Sequence, residues 1–302
     1  MLSSKVRTLN HPPTLVFPPS QSHKITLIVL HGRGSTAERF AEPLLTHQVS
    51  PLLKPLPLNP IPKTFCDHLP NAKFIFPTAS LRRAVAFNRS IIHQWFDVFS
   101  LTELRVKKHL SVPGLHDTTA YLHELLKAEI ELVGAENVIL MGLSQGCAAS
   151  MIAIMLWDGE PLGGFVGMCG WLPFREDMQE LLGDDELGRE GEIGDEEEDI
   201  FERDDELEEV GTKLEQVVQW LREELHSDAS SGESHVHPPL GAMPVFMGHG
   251  TKDEKVPFAF GESAANFLRH VNVDVEWHEY EGLGHWYSAD MLRDIIQFLD
   301  RN

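Results

Sequence analysis

The chain has 302 residues, which is enough for one large domain or two small ones with a substantial buried core. Its formal net charge of −21 argues against nucleic acid or an anionic membrane surface as the main partner. Its three cysteines are too few for a disulfide framework or a metal cluster and are typical of free thiols in a reducing compartment. Because we find no apolar run long enough for a signal peptide or a membrane span, we expect a cytoplasmic protein without stable membrane insertion.

Predicted strands and helices alternate along most of the chain. Short apolar or β-branched runs predict buried strands at 24–30, 72–77, 138–141, 163–169, 243–248 and 271–280. Apolar residues at helical spacing predict helices at 36–45, 117–133, 147–156, 213–226, 258–268 and 288–299, with Thr118 or Thr119 near the N-cap of the second. Loops are predicted at 50–63 and 78–113. The alternation is typical of an α/β fold with a mostly parallel central sheet and helices on both faces.

Two segments interrupt this alternation. Residues 1–23 are polar and rich in proline, and we predict a loosely held arm. Residues 184–209 contain sixteen acidic side chains and two arginines, so this stretch carries a net charge of −14. Such a run repels itself and has little apolar surface to bury, which favours disorder. We therefore predict a single domain over 1–302 with an acidic, partly disordered insertion at 176–240.

A serine stands at the junction between a predicted strand and a predicted helix. Residues 142–146 read Gly-Leu-Ser-Gln-Gly, the pattern G-x-S-x-G. On such a sharp turn the serine hydroxyl projects, and the two glycines leave room where side chains would collide. The amides at the start of the helix point at the same place, where they stabilise an anion. The pattern recurs by chance, but its position favours Ser144 as a nucleophile over an ordinary tight turn.

A serine hydroxyl requires a base, usually a histidine that a carboxylate orients. In hydrolases built on parallel sheets the chain order is serine, then acid, then histidine. His285 follows the last predicted strand in a glycine-rich loop, which makes it the best candidate for the base. His249 precedes the best acid, His278 sits inside a predicted strand, and His270 lies inside or at the end of the helix before it.

Asp253 is the best candidate for the acid, because it follows a strand at the carboxyl edge of the sheet. Glu254 and Asp274 are alternatives.

The oxyanion of a serine hydrolase needs two amide donors. One is the N–H of Gln145, directly after the nucleophile, and the other lies in the first loop, 31–34. We favour Arg33 there, with Gly32 as the alternative. His31 is expected to be a structural loop residue, since it lies in the wrong chain order for the base.

Several motifs occur in one order along the chain. They are Leu-His-Gly-Arg-Gly at 30–34, Phe-Pro-Thr-Ala at 76–79, Trp-Phe-Asp at 95–97, the serine motif at 142–146, His-Gly-Thr-Lys-Asp at 249–253 with Val-Pro at 256–257, and Tyr-Glu-Gly at 280–282 before His285. This series resembles the acyl-protein thioesterase and carboxylesterase (phospholipase/carboxylesterase) family of α/β-hydrolases over about residues 24–300, without the acidic insertion. The resemblance implies an α/β-hydrolase fold, a triad of Ser144, Asp253 and His285, and an oxyanion hole of the Arg33 and Gln145 amides.

The resemblance also implies an acyl site lined by the loop near Trp95, to which Phe96 belongs. Leu172 is expected beside this site, because the strand at 163–169 ends at the same sheet edge as Ser144. Trp286 stands where the family commonly has small polar residues, and we expect it to shape the acyl pocket. We therefore predict these four residues as substrate-binding.

The predicted function is that of a serine hydrolase, without cofactor or metal, that cleaves carboxylic esters or thioesters of small-molecule or acylated substrates through an acyl-enzyme intermediate. Hydrolysis of a lysophospholipid or of a small secondary-metabolite ester is an alternative, and so is a binding protein that keeps the fold without turnover. If the acidic insertion emerges beside the site, it would repel anionic substrates. A solvated loop away from the site is the other interpretation of the insertion.

Overall fold

The computed structural model describes residues 11–52, 62–100, 102–183, 211–225 and 237–301. The strands in these ranges are β1 (Leu15–Phe17), β2 (Ile25–Leu30), β3 (Ala72–Phe76), β4 (Leu81–Ala84), β5 (Ser90–His93), β6 (Val138–Leu143), β7 (Gly164–Met168), β8 (Val245–Gly250) and β9 (Val275–Tyr280). The α-helices are α1 (Ala37–Leu45), α2 (Phe65–His68), α3 (Val112–Val133), α4 (Gln145–Met155), α5 (Arg175–Leu181), α6 (Lys213–Glu224), α7 (Phe258–His270) and α8 (Ala289–Leu299). Among these helices none combines the length and apolar character that a membrane span requires.

A seven-stranded sheet organises the described residues, in the order β1-β3-β2-β6-β7-β8-β9. β1 is antiparallel to β3, and the other neighbours in the sheet are parallel. The predicted α/β fold with a mostly parallel sheet is thus confirmed. Because the carboxyl ends of parallel strands meet at one edge, the loops after β2, β6, β8 and β9 open on the same side.

Alternate residues of β2 enter two separate cores. Ile28 and Leu30 belong to the core that α3, α4 and α7 cover. Leu27 and Val29 belong to the core on the other face, which α1 and α8 cover. Successive strand residues point to opposite faces, so a continuous apolar strand requires helices on both sides of the sheet.

The helix α3 begins earlier than its apolar spacing predicts. It starts at Val112, because Pro113 is tolerated in the first helical turn, where its missing N–H costs no hydrogen bond. Thr118 and Thr119 therefore lie buried inside the helix, and their predicted place near the N-cap is wrong. The Thr118 hydroxyl instead donates to the Trp95 carbonyl at 2.8 Å. This contact ties α3 to the loop that carries Trp95.

The segment 78–113, predicted as a loop, contains the antiparallel hairpin of β4 and β5. Its connection includes Asn88 and Arg89, which both have positive φ. Polar and exposed side chains dominate these short strands, so they lack the apolar runs by which the longer strands are predicted.

From residue 11 onward, the N-terminal arm is held more firmly than the sequence predicts. β1 pairs with the edge strand β3 from Leu15 opposite Phe76 to Phe17 opposite Phe74. The Phe17 and Phe76 rings meet edge to face, with centroids 5.8 Å apart. An edge strand offers unpaired backbone groups, and a strand of only three residues can satisfy them. Residues 1–10 of the predicted arm lie outside the described residues.

Both ends of the predicted insertion are helical and packed. Met178 of α5 and Val217 and Leu221 of α6 are fully buried in the core. The Thr212 side chain caps α6 in a reciprocal arrangement with Glu215. The acidic run at 184–209, with its predicted disorder, lies outside the described residues. The segment 176–240 thus contributes two helices to the folded domain.

The packing of α6 leads to a stability prediction. Leu221 is fully buried, and truncating such a leucine to alanine removes apolar contacts and leaves a cavity. We expect Leu221→Ala to lower the free energy of unfolding by about 2–5 kcal/mol in a denaturant titration. The exposed Gln219 on the same helix is the matched control, and Gln219→Ala should change it by less than about 0.5 kcal/mol. Equal stabilities of the two variants would contradict the packing of α6 in the core.

Candidate active site

The turn between β6 and α4 holds Ser144 in an uncommon backbone conformation, with φ 58° and ψ −122°. The Ser144 amide donates to the Met168 carbonyl at the end of β7, at 2.8 Å. A Cβ on Gly142 would lie 2.5 Å from backbone atoms of Gly146, and one on Gly146 would lie 2.5 Å from the Leu30 carbonyl oxygen. The two glycines are therefore required by close backbone contacts, as the G-x-S-x-G pattern predicts.

Three side chains from separate segments form a continuous chain of contacts. His285 Nε2 lies 2.9 Å from Ser144 Oγ, and His285 Nδ1 lies 2.7 Å from Asp253 Oδ2. Asp253 follows β8 and His285 follows β9, so the parallel sheet brings both to the edge where β6 ends at Ser144. The structure brings together the three residues that the sequence proposes as nucleophile, base and acid. Glu254 and Asp274 make no such contact with His285 in the described part of the chain.

The Asp253 carboxylate is buried and has several hydrogen-bond donors. Its Oδ1 accepts from the amides of Lys255 at 2.8 Å and Val256 at 2.9 Å. Burial raises the pKa of Asp253, but hydrogen bonds from His249, His285 and Val256 outweigh burial and hold this pKa below its usual range. Asp253 is therefore an anion at neutral pH, and it favours the His285 tautomer with its proton on Nδ1.

His249 is a member of this arrangement that the sequence reasoning set aside. Its Nε2 lies 3.2 Å from Asp253 Oδ2 and 3.0 Å from the Val256 carbonyl, so Nε2–H donates to two acceptors. The ring is buried between Phe258 and Trp277. His249 thus holds the Asp253 carboxylate and the turn that follows it. Its position near the end of β8, four residues before Asp253, is the signal that could have found it, because residues at the carboxyl ends of parallel strands lie at the edge where such sites form.

The first loop lies directly against Ser144. An added Cβ on Gly32 would be 3.3 Å from Ser144 Cβ. His31 Nε2 accepts from the Ala79 amide at 3.1 Å, so Nδ1 carries the proton and donates to the Gly32 carbonyl at 2.7 Å. Burial lowers the pKa of His31 to about 4, which keeps this ring neutral. These contacts place His31 in a structural role in the loop, as expected.

The Arg33 and Gln145 amides lie next to Ser144 and have no backbone acceptor among the described residues. In a trans peptide the C=O and N–H point in opposite directions, so the His31 contact with the Gly32 carbonyl directs the Arg33 N–H to the other side. The next amide, that of Gly34, already donates to the His93 carbonyl at 2.7 Å. Gln145 is the first residue of α4, and its N–H has no intrahelical acceptor. The Arg33 and Gln145 amides are therefore the groups that could hold an oxyanion.

The predicted substrate-binding residues Trp95 and Phe96 are in the core and do not line the cavity at Ser144. The Gln145 side chain joins them to the serine turn, because its Oε1 accepts from the Trp95 amide at 3.1 Å and its Nε2 donates to the Phe96 carbonyl at 2.8 Å. Trp95 Nε1 donates to the His31 carbonyl at 2.8 Å. The two buried aromatic residues thus support the loops around Ser144.

A cavity of about 390 Å³ opens at Ser144 and His285. Its apolar wall includes Phe40, Phe87, Trp171 and Trp286. Of these, only Trp286 was predicted to bind substrate. The predicted Leu172 is 2 % exposed and lines a separate, smaller cavity. Its neighbour Trp171 lines both this smaller cavity and the cavity at Ser144.

Among the described residues, no cluster of three or more histidine, cysteine or acidic side chains is arranged to hold a metal ion.

The profile of the phospholipase/carboxylesterase family matches residues 59–183 and 225–302, more than half of the chain. The chain belongs to this family. Both activities in the family's description hydrolyse an ester bond, so the protein is an ester hydrolase. The family match omits residues 184–224, which contain the acidic run.

Individual relatives agree with the family assignment. Acyl-protein thioesterase 1 of Yarrowia lipolytica is 24% identical over 296 residues, covering 96% of this chain and 97% of the relative. Carboxylesterase SOBER1 of Arabidopsis thaliana is 25% identical over 236 residues, covering 78% and 79%.

Solved structures of family members share the fold. The crystal structure of SOBER1 superposes with a TM-score of 0.61 at 23% identity, covering 92% of this chain and 98% of that one. Acyl-protein thioesterase 2 of Zea mays superposes with a TM-score of 0.61 at 20% identity, covering 96% and 98%. The α/β-hydrolase fold predicted from the motifs is thus confirmed.

The contacts of His249 generate a prediction about turnover. In His249→Phe the ring volume is largely kept but the Nε2–H donor is lost, so Asp253 and the turn to Val256 lose a tether. A displacement near 1 Å in such a group can cost about 100-fold in rate. We therefore expect kcat/KM for a simple ester to fall about 10- to 100-fold in His249→Phe.

The control variant is His249→Gln, whose side-chain amide can donate in place of Nε2–H. It should recover a large part of the lost turnover, while circular dichroism confirms that both variants are folded. Wild-type kinetics in His249→Phe would mean that the backbone donors alone hold Asp253.

Proposed function

We propose that the protein is a serine hydrolase that cleaves carboxylic esters or thioesters through an acyl-enzyme intermediate. The observation that carries this proposal is the continuous chain of contacts from Asp253 through His285 to Ser144, at 2.7 Å and 2.9 Å. Ser144 itself has a positive φ, as expected of a serine at a sharp turn between strand and helix. In this role Ser144 is the nucleophile, His285 the base and Asp253 the acid.

The first half of the reaction forms the acyl-enzyme. Ser144 Oγ attacks the carbonyl carbon while His285 Nε2 takes the hydroxyl proton, and the Asp253 carboxylate stabilises the imidazolium. The carbonyl oxygen becomes an oxyanion, which the Arg33 and Gln145 amides stabilise. The bond to the leaving group then breaks, and His285 returns the proton to that alcohol or thiol.

The second half releases the acid. Water takes the place of the leaving group, gives a proton to His285 Nε2 and attacks the acyl carbon. Collapse of the second tetrahedral intermediate breaks the bond to Ser144 Oγ, which recovers its proton from His285.

The names of the relatives supply the candidate substrates, which are acylated proteins for the thioesterases and carboxylic esters for SOBER1. The complete contact chain argues against a binding protein that has lost turnover. Cys66, Cys147 and Cys169 are free thiols, and this supports a reducing compartment such as the cytoplasm.

Substitution of the proposed nucleophile tests the mechanism. We expect Ser144→Ala to lower kcat on a p-nitrophenyl ester by roughly 10⁴- to 10⁶-fold without loss of folding, because alanine keeps the Cβ and removes only the hydroxyl. His285→Ala should lose a comparable factor, and the double variant should be no worse, since triad members act as a unit.

The matched control is Ser150→Ala on α4, the helix that follows Ser144. Ser150 Oγ is buried and makes no hydrogen bond within the described residues, so its removal should leave turnover within about twofold of wild type. Substantial turnover by Ser144→Ala, at a rate near that of the control, would overturn the serine mechanism.

A further inference from the structure

The cavity at Ser144 is positively charged in a strongly acidic protein. Arg33 and Lys255 line it together with Ser144 and His285, and no aspartate or glutamate is among the described residues that line it. The whole chain has a net charge of −21. Two cations at the one place where substrate must bind therefore require a specific explanation.

The Arg33 guanidinium is held in place but has no carboxylate partner at ion-pair distance in the described part of the chain. It lies over the Phe87 ring, 4.7 Å from the centroid. Burial lowers the pKa of Arg33, and the more distant Asp97 offsets this only in part. A partly desolvated cation is normally paired with an anion.

Asp97 acts on Arg33 only from beyond ion-pair distance. Its Oδ1 accepts from the amides of Val85 and Val98, each at 3.0 Å, and from the Gln94 side chain at 3.4 Å. The carboxylate is thus occupied in holding the segment around Trp95. The positive charge of Arg33 remains directed at the cavity.

Lys255 lies in the turn after β8. In the sheet, β8 is on one side of β6, which ends at Ser144, and β2, which precedes Arg33, is on the other. The Lys255 amide is tied to Asp253, which fixes the start of the side chain, while the side chain is exposed. Its ammonium group forms no ion pair with a described carboxylate. A lysine with a fixed backbone and an ammonium group without an ion-pair partner in the described residues is suited to bind an anionic ligand.

We propose that the substrate is a small ester or thioester that carries a carboxylate, which Arg33 and Lys255 bind while the ester carbonyl lies at Ser144. The proposal rests on the proposed function and specifies its substrate class. Phe87 and Trp286, both substantially exposed at the cavity, supply an apolar wall for the short chain between the two groups. The positive charge of the cavity favours anionic substrates. An acidic insertion beside the site would instead repel them.

A matched pair of substrates isolates the charge. Monomethyl glutarate carries one carboxylate, and dimethyl glutarate is its neutral counterpart with the same chain. We expect the wild type to have a higher kcat/KM for the charged ester, measured by release of methanol. Arg33→Gln and Lys255→Gln should each lower the charged-to-neutral ratio about tenfold, because a hydrogen bond to a charged group is lost.

Charge-conserving and remote variants serve as controls. Arg33→Lys and Lys255→Arg should keep most of the ratio. Lys127→Gln removes a cation on α3, away from the cavity lining, and should leave the ratio unchanged. A ratio equally lowered by Lys127→Gln would attribute the effect to net charge and overturn the proposed site.

A butyryl ester of glycolate, with its carboxylate on the leaving group, is the second charged substrate. Its methyl ester is the neutral partner. A preference for either charged ester that depends on Arg33 and Lys255 supports the proposal and tells which side of the scissile bond carries the charge. If neither charged ester is preferred in the wild type, the proposal is wrong.

Binding to Ser144→Ala separates the substrate proposal from the hydrolase proposal. Calorimetry on this variant should detect tighter binding of monomethyl than of dimethyl glutarate, and the difference should shrink at 1 M salt. Equal binding of both esters would overturn the carboxylate site even if Ser144 proves to be the nucleophile. Undiminished hydrolysis by Ser144→Ala would overturn the serine mechanism, while the binding preference still tests the charge.

Discussion

The backbone of Ser144 turns from strand to helix with φ 58°, and the neighbouring chain is built closely around that turn. Gly146 lies against the Leu30 carbonyl with no room for a Cβ, so the end of β2 and the start of α4 are in direct contact. This contact is what places the first loop, with its Arg33 amide, beside the serine. Non-glycine residues with positive φ cost of order 1–3 kcal/mol, and the buried sheet around the turn sustains that cost.

The positions of the other groups follow from the parallel sheet and from a buried polar network. β8 and β9 end at the same edge as β6, and they deliver Asp253 and His285 to Ser144. The loops are then fixed by hydrogen bonds of two buried side chains, those of Gln145 and His249. The Gln145 side chain forms hydrogen bonds that join the turn at Ser144 to residues 95–96. His249 holds the turn that carries Asp253. Rigid elements and satisfied hydrogen bonds together give the geometry that proton transfer requires.

Much of the fold and the contacting trio could be predicted from the sequence, because both depend on short-range patterns. Apolar runs located the central strands, and chain order selected Asp253 and His285 among many acids and histidines. The lining of the cavity could not be predicted, since it depends on how distant segments pack. Trp95 and Phe96 belong to one of the motifs that indicate the family. In the structure, however, hydrogen bonds to Thr118 of α3 and to Gln145 hold them in the core. Phe87 and Lys255 reach the cavity from an irregular hairpin and a turn, where no periodic pattern exists.

The central claim is that Ser144 is a nucleophile activated by His285, and covalent labelling tests it most directly. The protein is treated with a fluorophosphonate, and the modified peptide is identified by mass spectrometry. The account predicts one adduct, on the peptide that contains Ser144, with slower labelling in His285→Ala and none in Ser144→Ala. Absence of labelling in the folded wild type, or an adduct on a different residue that persists in Ser144→Ala, would contradict it.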